Sequence, residues 1–165
     1  MSQGTEDVRL EASGQAHWGR HVPVDETTRT FCYEADSIVR VSFDTGETSH
    51  FRGFFAGMDV ITEDGAVPQG HGYFRLTELE SDGDGQSRAA AGAHELFGTL
   101  EWRQVDNRDT GVITVQRGTG RWSGATGTFD VGFPAFCAFD PAESYNTTEP
   151  IDTLFLLEGV GTLSR

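Results

Sequence analysis

Glu158 is the acid in this chain whose surroundings most need a chemical explanation. It stands in Leu156-Leu157-Glu158-Gly159-Val160, an apolar run that would flank a carboxyl on both faces of a strand. A carboxyl deprived of water has a raised pKa and is suited to give or take a proton near neutrality. Arg75 is the candidate partner, and a buried structural pair between the two is the alternative reading. Tyr73 shares a strand face with Arg75, opposite Phe74 and Leu76. Glu101, on a face with Phe97 and Thr99, and Asp130, between Phe129 and Val131, complete the candidate catalytic set. For these last two the solvent face is an equally good place. All 12 basic residues are Arg, so lysine chemistry, whether a Schiff base or a pyridoxal anchor, is excluded.

Other constellations are weaker. His17 and His21 have a spacing that would align them on a helix for a metal, but Gly19 between them and Pro23 after them make that helix poor. Ser81 to Ser87 is Asp-rich but lacks the spacing and closing Glu of a calcium loop. No G-x-S-x-G elbow occurs, and no clustered His and Glu ligands of the cupin kind. The expected cofactor is therefore none, and the expected metal none.

The elements that must position these residues are strands. Thr30 to Phe43, Gly70 to Leu79, Glu95 to Val105 and Val112 to Val115 read as β, as does Ile151 to Leu163, and Thr48 to Val60 is expected as another strand with Gly53 and Gly57 marking bulges or close packing. Turn signals at Asp44-Thr45-Gly46-Glu47, Glu63-Asp64-Gly65 and Asn107 to Gly111 separate them. Met1 to Thr28 lacks sustained periodicity and is expected to be a partly flexible arm, with a single β domain over 29–165. Ala89 to Ala93 could form a helical turn, and Pro134 to Pro150 reads as a long loop. Seven to nine short strands with no long amphipathic helix is the signature of an all-β sandwich or barrel with antiparallel connections.

The segment Gly118-Thr119-Gly120-Arg121-Trp122-Ser123-Gly124-Ala125-Thr126-Gly127 lies between the strand Val112–Val115 and the alternating run Gly127, Phe129, Val131, Phe133. It resembles a signature of the allene oxide cyclase-like and dirigent-like β-barrels, and the upstream Gly98-Thr99-Leu100-Glu101-Trp102 fits the same order. The resemblance implies a closed eight-stranded antiparallel β-barrel with an apolar cavity, assembled as a homo-dimer or homo-trimer, and a relationship to bacterial natural-product cyclases. Gly supplies the bends that closing a small barrel requires, and Trp122 among the glycines would plug one end or line the cavity. Phe74, Trp102, Trp122, Phe129 and Phe133 are the candidate substrate-binding residues. A dinucleotide loop would need a helix after Gly118-x-Gly120, and strand residues follow instead.

The net charge of −14 disfavours nucleic acid, no apolar run reaches membrane-spanning length, and the acidic start is unlike a signal peptide. A cytoplasmic protein is expected. Cys32 and Cys137 are the two cysteines, and spacing does not decide whether they pair. The leading expectation is an isomerase or cyclase that folds an apolar, polyketide-like intermediate inside the barrel. The alternatives are a lipocalin-like binding protein without chemistry and a dirigent-type scaffold that steers the stereochemistry of radicals made elsewhere.

Overall fold

The computed structural model describes residues 4–81, 87–89, 94–105, 108–137 and 150–165. The expected helical turn over 89–93 and most of the loops over 81–87 and 134–150 lie outside them. The described chain forms nine strands: β1 (Thr5–Pro23), β2 (Thr28–Phe43), β3 (Thr48–Thr62), β4 (Gln69–Ser81), β5 (Ser87–Ala89), β6 (Glu95–Val105), β7 (Arg108–Gly118), β8 (Thr126–Cys137) and β9 (Ile151–Ser164). A 3-10 turn over Gly120–Trp122 joins β7 to β8.

Every pairing is antiparallel. The sheet runs β3-β2-β1-β9-β8-β7-β6-β4, and β4 pairs back onto β3, closing an eight-stranded barrel in which the first and last strands meet. β5 pairs with β4 alone and stands outside the ring. Paired positions followed once round, from Trp18 through Tyr33, Gly57, Gly72, Leu100, Ile113, Phe129 and Gly161, arrive at Val8 rather than Trp18. That stagger is the register offset that tilts the strands of a closed barrel.

The expected arm over 1–28 is corrected here: Thr5–Pro23 is β1, hydrogen-bonded along its length to β2 and β9. Its inward residues are Val8, Leu10, Ala12, Ala16 and Trp18, two of them alanine. Such small residues give little hydrophobic signal, yet they sit at period 2 and are buried. A register shift between Trp18 and His21 then breaks the alternation.

The interior is filled by alternating large and small side chains. Round the row that starts at Asp59 the inward positions read Asp59, Gly70, Trp102, Gly111, Val131 and Gly159. The glycines are packing positions: a Cβ on Gly70 would lie 2.0 Å from the Trp102 indole nitrogen. Each large ring thus lies across a neighbouring glycine, a packing that small barrels need to fit their taper.

One end of the barrel is sealed, and the glycine-rich corner does it. Gly120 and Gly124 have φ of 59° and 84°, left-handed conformations that only glycine adopts without strain. They fold the corner so that Trp122, 0 % exposed, enters the barrel end against Phe43 and Phe51. The indole Nε1 donates to Glu78 Oε2 at 3.1 Å. Arg121 donates Nε to the same oxygen at 2.7 Å, Nη2 to Oε1, and Nη2 to Ser49 Oγ at 2.8 Å. Of the two expected places for Trp122, plugging an end or lining the cavity, it takes the first.

Arg165 fastens β9 to this end, donating Nε to Glu6 at 2.8 Å and Nη1 to Glu47 at 3.1 Å, with its guanidinium 4.3 Å from the Phe43 ring centroid. Its hydrogen bond is the main reason the Glu47 carboxyl lies below its usual pKa. A depressed carboxyl stabilises the fold above its unfolded pKa and loses that contribution as pH falls. Arg165→Ala is expected to cost about 1 kcal/mol at neutral pH, less in high salt and less in acid, as read by thermal melts across pH and ionic strength.

Candidate functional site

Towards the other end, among the described residues, lies a chamber of about 40 Å³, floored by Ala16, Ala35 and Leu157 and walled by Trp18, Phe55, Trp102, Phe133 and Phe155. Room of that size takes about three waters or a small functional group. Further down only about 10 Å³ remains, among Leu10, Val39, Phe74 and Phe129. The barrel is packed solid over its lower half and hollow towards the other end.

Two polar side chains face this chamber, Asp59 from β3 and Tyr33 from β2. The strands put them there by simple alternation. On β3 the inward set is Phe51, Gly53, Phe55, Asp59 and Ile61, and on β2 it is Phe31, Tyr33, Ala35, Ser37, Val39 and Val41. Asp59 is 0 % exposed, and neither carboxyl oxygen has a hydrogen-bond partner of full geometry. Burial drives its pKa well above the carboxylate range; the Trp102 indole N–H, beside it over Gly70, pulls the other way, and the charge of Asp109 adds to the rise. Asp109, half-buried on β7, is itself raised by burial.

The Tyr33 hydroxyl is also buried without a hydrogen-bond partner and lies across Gly57 and Gly72. Burial, and then the Asp59 charge, push its pKa upward, so it remains a phenol. Tyr33 sits over Gly72 and Asp59 over Gly70, positions about 7 Å apart along β4. The wall of the chamber therefore buries a carboxyl and a phenol in an aromatic, nearly dry setting, where hydrogen bonds are strong and unpaired polar groups costly.

Gly72 is the check on this geometry. A Cβ there would lie 2.4 Å from the Tyr33 hydroxyl oxygen and 2.9 Å from the Ala56 carbonyl oxygen. Gly72→Ala is expected to swing Tyr33 out of place at a cost of about 1–3 kcal/mol, lowering the melting temperature and changing the fluorescence of Trp18, whose ring centroid is 5.3 Å from that of Tyr33.

The structure places the five expected catalytic residues elsewhere. Glu158, Arg75, Tyr73, Glu101 and Asp130 all lie on the outer face and are exposed, Tyr73 at 64 %. Glu158 is opposite Glu11 and Gly132 in register, and its apolar neighbours Leu154, Leu156 and Val160 are exposed beside it. Glu158 and Arg75 stand on β9 and β4, with β8, β7 and β6 between them, so they form no pair. Glu101 and Asp130 meet across an outer groove of about 610 Å³ that also holds His71 and Arg103, with His71 Nδ1 3.7 Å from Glu101.

Of the expected substrate-binding residues, Trp102 and Phe133 line the chamber, Phe74 and Phe129 lie in the packed half, and Trp122 seals the far end. His17 and His21 share no face: His17 points outward to Asp152 at 2.6 Å, and the register shift after Trp18 turns His21 towards Phe31. Cys32 is a free thiol on the outer surface. Among the described residues no three metal-type ligands converge, and no helix is long and apolar enough to cross a membrane.

Asp59 and Tyr33 were the residues that sequence reading passed over. Their signal was present: Asp59 is the one charged residue on the face that carries Phe51, Phe55 and Ile61. No protein-family model, no curated protein and no solved structure matches the chain.

Proposed function

We propose that this barrel is an isomerase or cyclase that takes an apolar small molecule into its chamber end and promotes its rearrangement there, with Asp59 as the acid. The observation that carries the reading is a fully buried carboxyl that has no well-aligned hydrogen bond and only the Trp102 indole N–H beside it, set in the wall of an aromatic chamber. A carboxylic acid held neutral in an apolar pocket can donate a hydrogen bond or a proton at pH values where free carboxyls are ionised. Tyr33 would hold the guest beside it, and the rings of Trp18, Trp102 and Phe133 would fold a flexible chain against itself, lowering the entropy of ring closure. The resemblance to allene oxide cyclase-like barrels supports the same reading through the glycine corner around Trp122.

The experiment is incubation of the purified chain with linear, unsaturated carbonyl compounds of graded length, followed by chromatography and mass spectrometry. Formation of a product of unchanged mass, in proportion to protein and without any added cofactor, supports the proposal. Saturable quenching of tryptophan fluorescence with every compound recovered unchanged supports the binding-protein alternative instead.

A further inference from the structure

We infer that the chamber selects a neutral guest that enters head-first with a hydrogen-bond-accepting oxygen, such as a carbonyl, and that Asp59 is the group that reads it. This inference rests on the reading of the chamber end as the working site and names what that site accepts. Three features of the chamber lead to it.

The first is the chemistry of the lining. The atoms bounding the void are hydrocarbon and aromatic, and just behind them two lining residues bury polar atoms: the Tyr33 hydroxyl, which lacks a partner, and the Asp59 carboxyl, which has no well-aligned hydrogen bond and only the Trp102 indole beside it. A buried polar group without a partner is costly, so a guest that supplies the missing contact is favoured over one that only fills space. The second is the sign of the contact. A phenol and a neutral carboxylic acid each hold an O–H to donate, and the group that satisfies a donor is an acceptor. A carboxylate guest would set a second acid against Asp59 and Asp109. An ammonium guest would require Asp59 to ionise in a chamber where burial opposes charge.

The third feature is size. A space for about three waters holds a functional group and not a whole natural product. The oxygen-bearing end must enter, while the apolar body remains in the mouth against Trp18, Trp102 and Phe133. His21 and Arg29 belong to the strands at this end and Asp109 flanks it from β7; with Tyr33 these are the titratable or charged groups around Asp59, while His71 and Glu101, close in register, line the outer groove.

The test uses four six-membered rings of nearly equal bulk: cyclohexanone, methylcyclohexane, cyclohexylammonium and cyclohexanecarboxylate. Binding is read from Trp18 and Trp102, which line the chamber, while Trp122 is enclosed at the sealed end. Cyclohexanone is expected to bind about tenfold more tightly than methylcyclohexane, the worth of one good buried hydrogen bond, and both ions more weakly than the ketone. Asp59→Leu, which removes the carboxyl and keeps the branched shape, should retain methylcyclohexane binding and erase the ketone preference.

Equal binding of ketone and hydrocarbon, tightest binding of the ammonium ion, or a ketone preference that survives Asp59→Leu would each overturn the inference. The outcome is separable from that for the proposed function. The ketone ordering can hold while no compound is isomerised, which sinks the catalytic reading alone. An isomerised product without the ketone preference sinks this inference alone.

Discussion

Asp59→Asn should lower turnover of any compound the barrel isomerises by about 100-fold or more, while leaving the barrel folded. The amide keeps the size of the side chain and a hydrogen-bond donor but has no proton to transfer, and general acid catalysis is worth about 10²–10⁴. The same variant makes a second, independent prediction about stability. Asp59 keeps its proton to a higher pH in the folded barrel than in the unfolded chain. Its contribution is therefore fully present below the unfolded carboxylate pKa and is lost as pH rises through the folded value, at a slope of about 1.4 kcal/mol per pH unit between the two.

Asp109 is shifted the same way and contributes the same sign, so the informative quantity is wild type minus variant. Denaturant unfolding from acid to alkaline pH should show wild type losing stability relative to Asp59→Asn as pH rises. A difference that stays flat would mean that Asp59 titrates alike in the folded and unfolded chains.

Glu78→Ala should damage the fold far more than it damages the chamber end. Glu78 is buried and accepts from Arg121 and from the Trp122 indole, so its removal leaves a buried N–H without an acceptor and a guanidinium without its main counter-charge. Breaking a buried pair costs about 3–5 kcal/mol, and partial exposure of Arg121 puts this case near the lower end. At about 3 kcal/mol, a chain of this length melts about 10 °C lower. Glu78→Gln, which can still accept from the indole, should recover part of the loss. Because the sealed end and the chamber are separated by the packed half of the barrel, the ring-binding order should persist in both variants below their melting temperatures.

The fold was legible because its signals are local. Val112 to Val115, the glycines from Gly118 to Gly127 and the alternation through Phe133 became a strand, a corner and a strand, with Trp122 turned inward as the corner implied. β1 was hidden by its own small residues. Ala12 and Ala16 bury as completely as Val8 or Leu10, yet carry no weight in a reading by bulk.

The outward placement of the expected catalytic residues has a related reason. Glu158 drew attention through the apolar residues around it, but alternate residues of a barrel strand face opposite ways, and Leu154, Leu156 and Val160 share the outer face with Glu158. Asp59 also stands between apolar residues, Met58 and Val60, and its burial is visible only when every second residue from Phe51 to Ile61 is taken together. The closeness of Tyr33 to Asp59 depends on the pairing of β2 with β3, which no single strand encodes.

The most direct measurement is the carboxyl-carbon NMR signal of Asp59, assigned by its loss in Asp59→Asn, followed through a pH titration with and without cyclohexanone. A signal that stays in its protonated position through neutral pH and moves when the ketone is added is the predicted result. A signal that titrates in the ordinary carboxylate range and ignores the ketone would contradict the account, because the chamber end would then hold neither a neutral acid nor a guest.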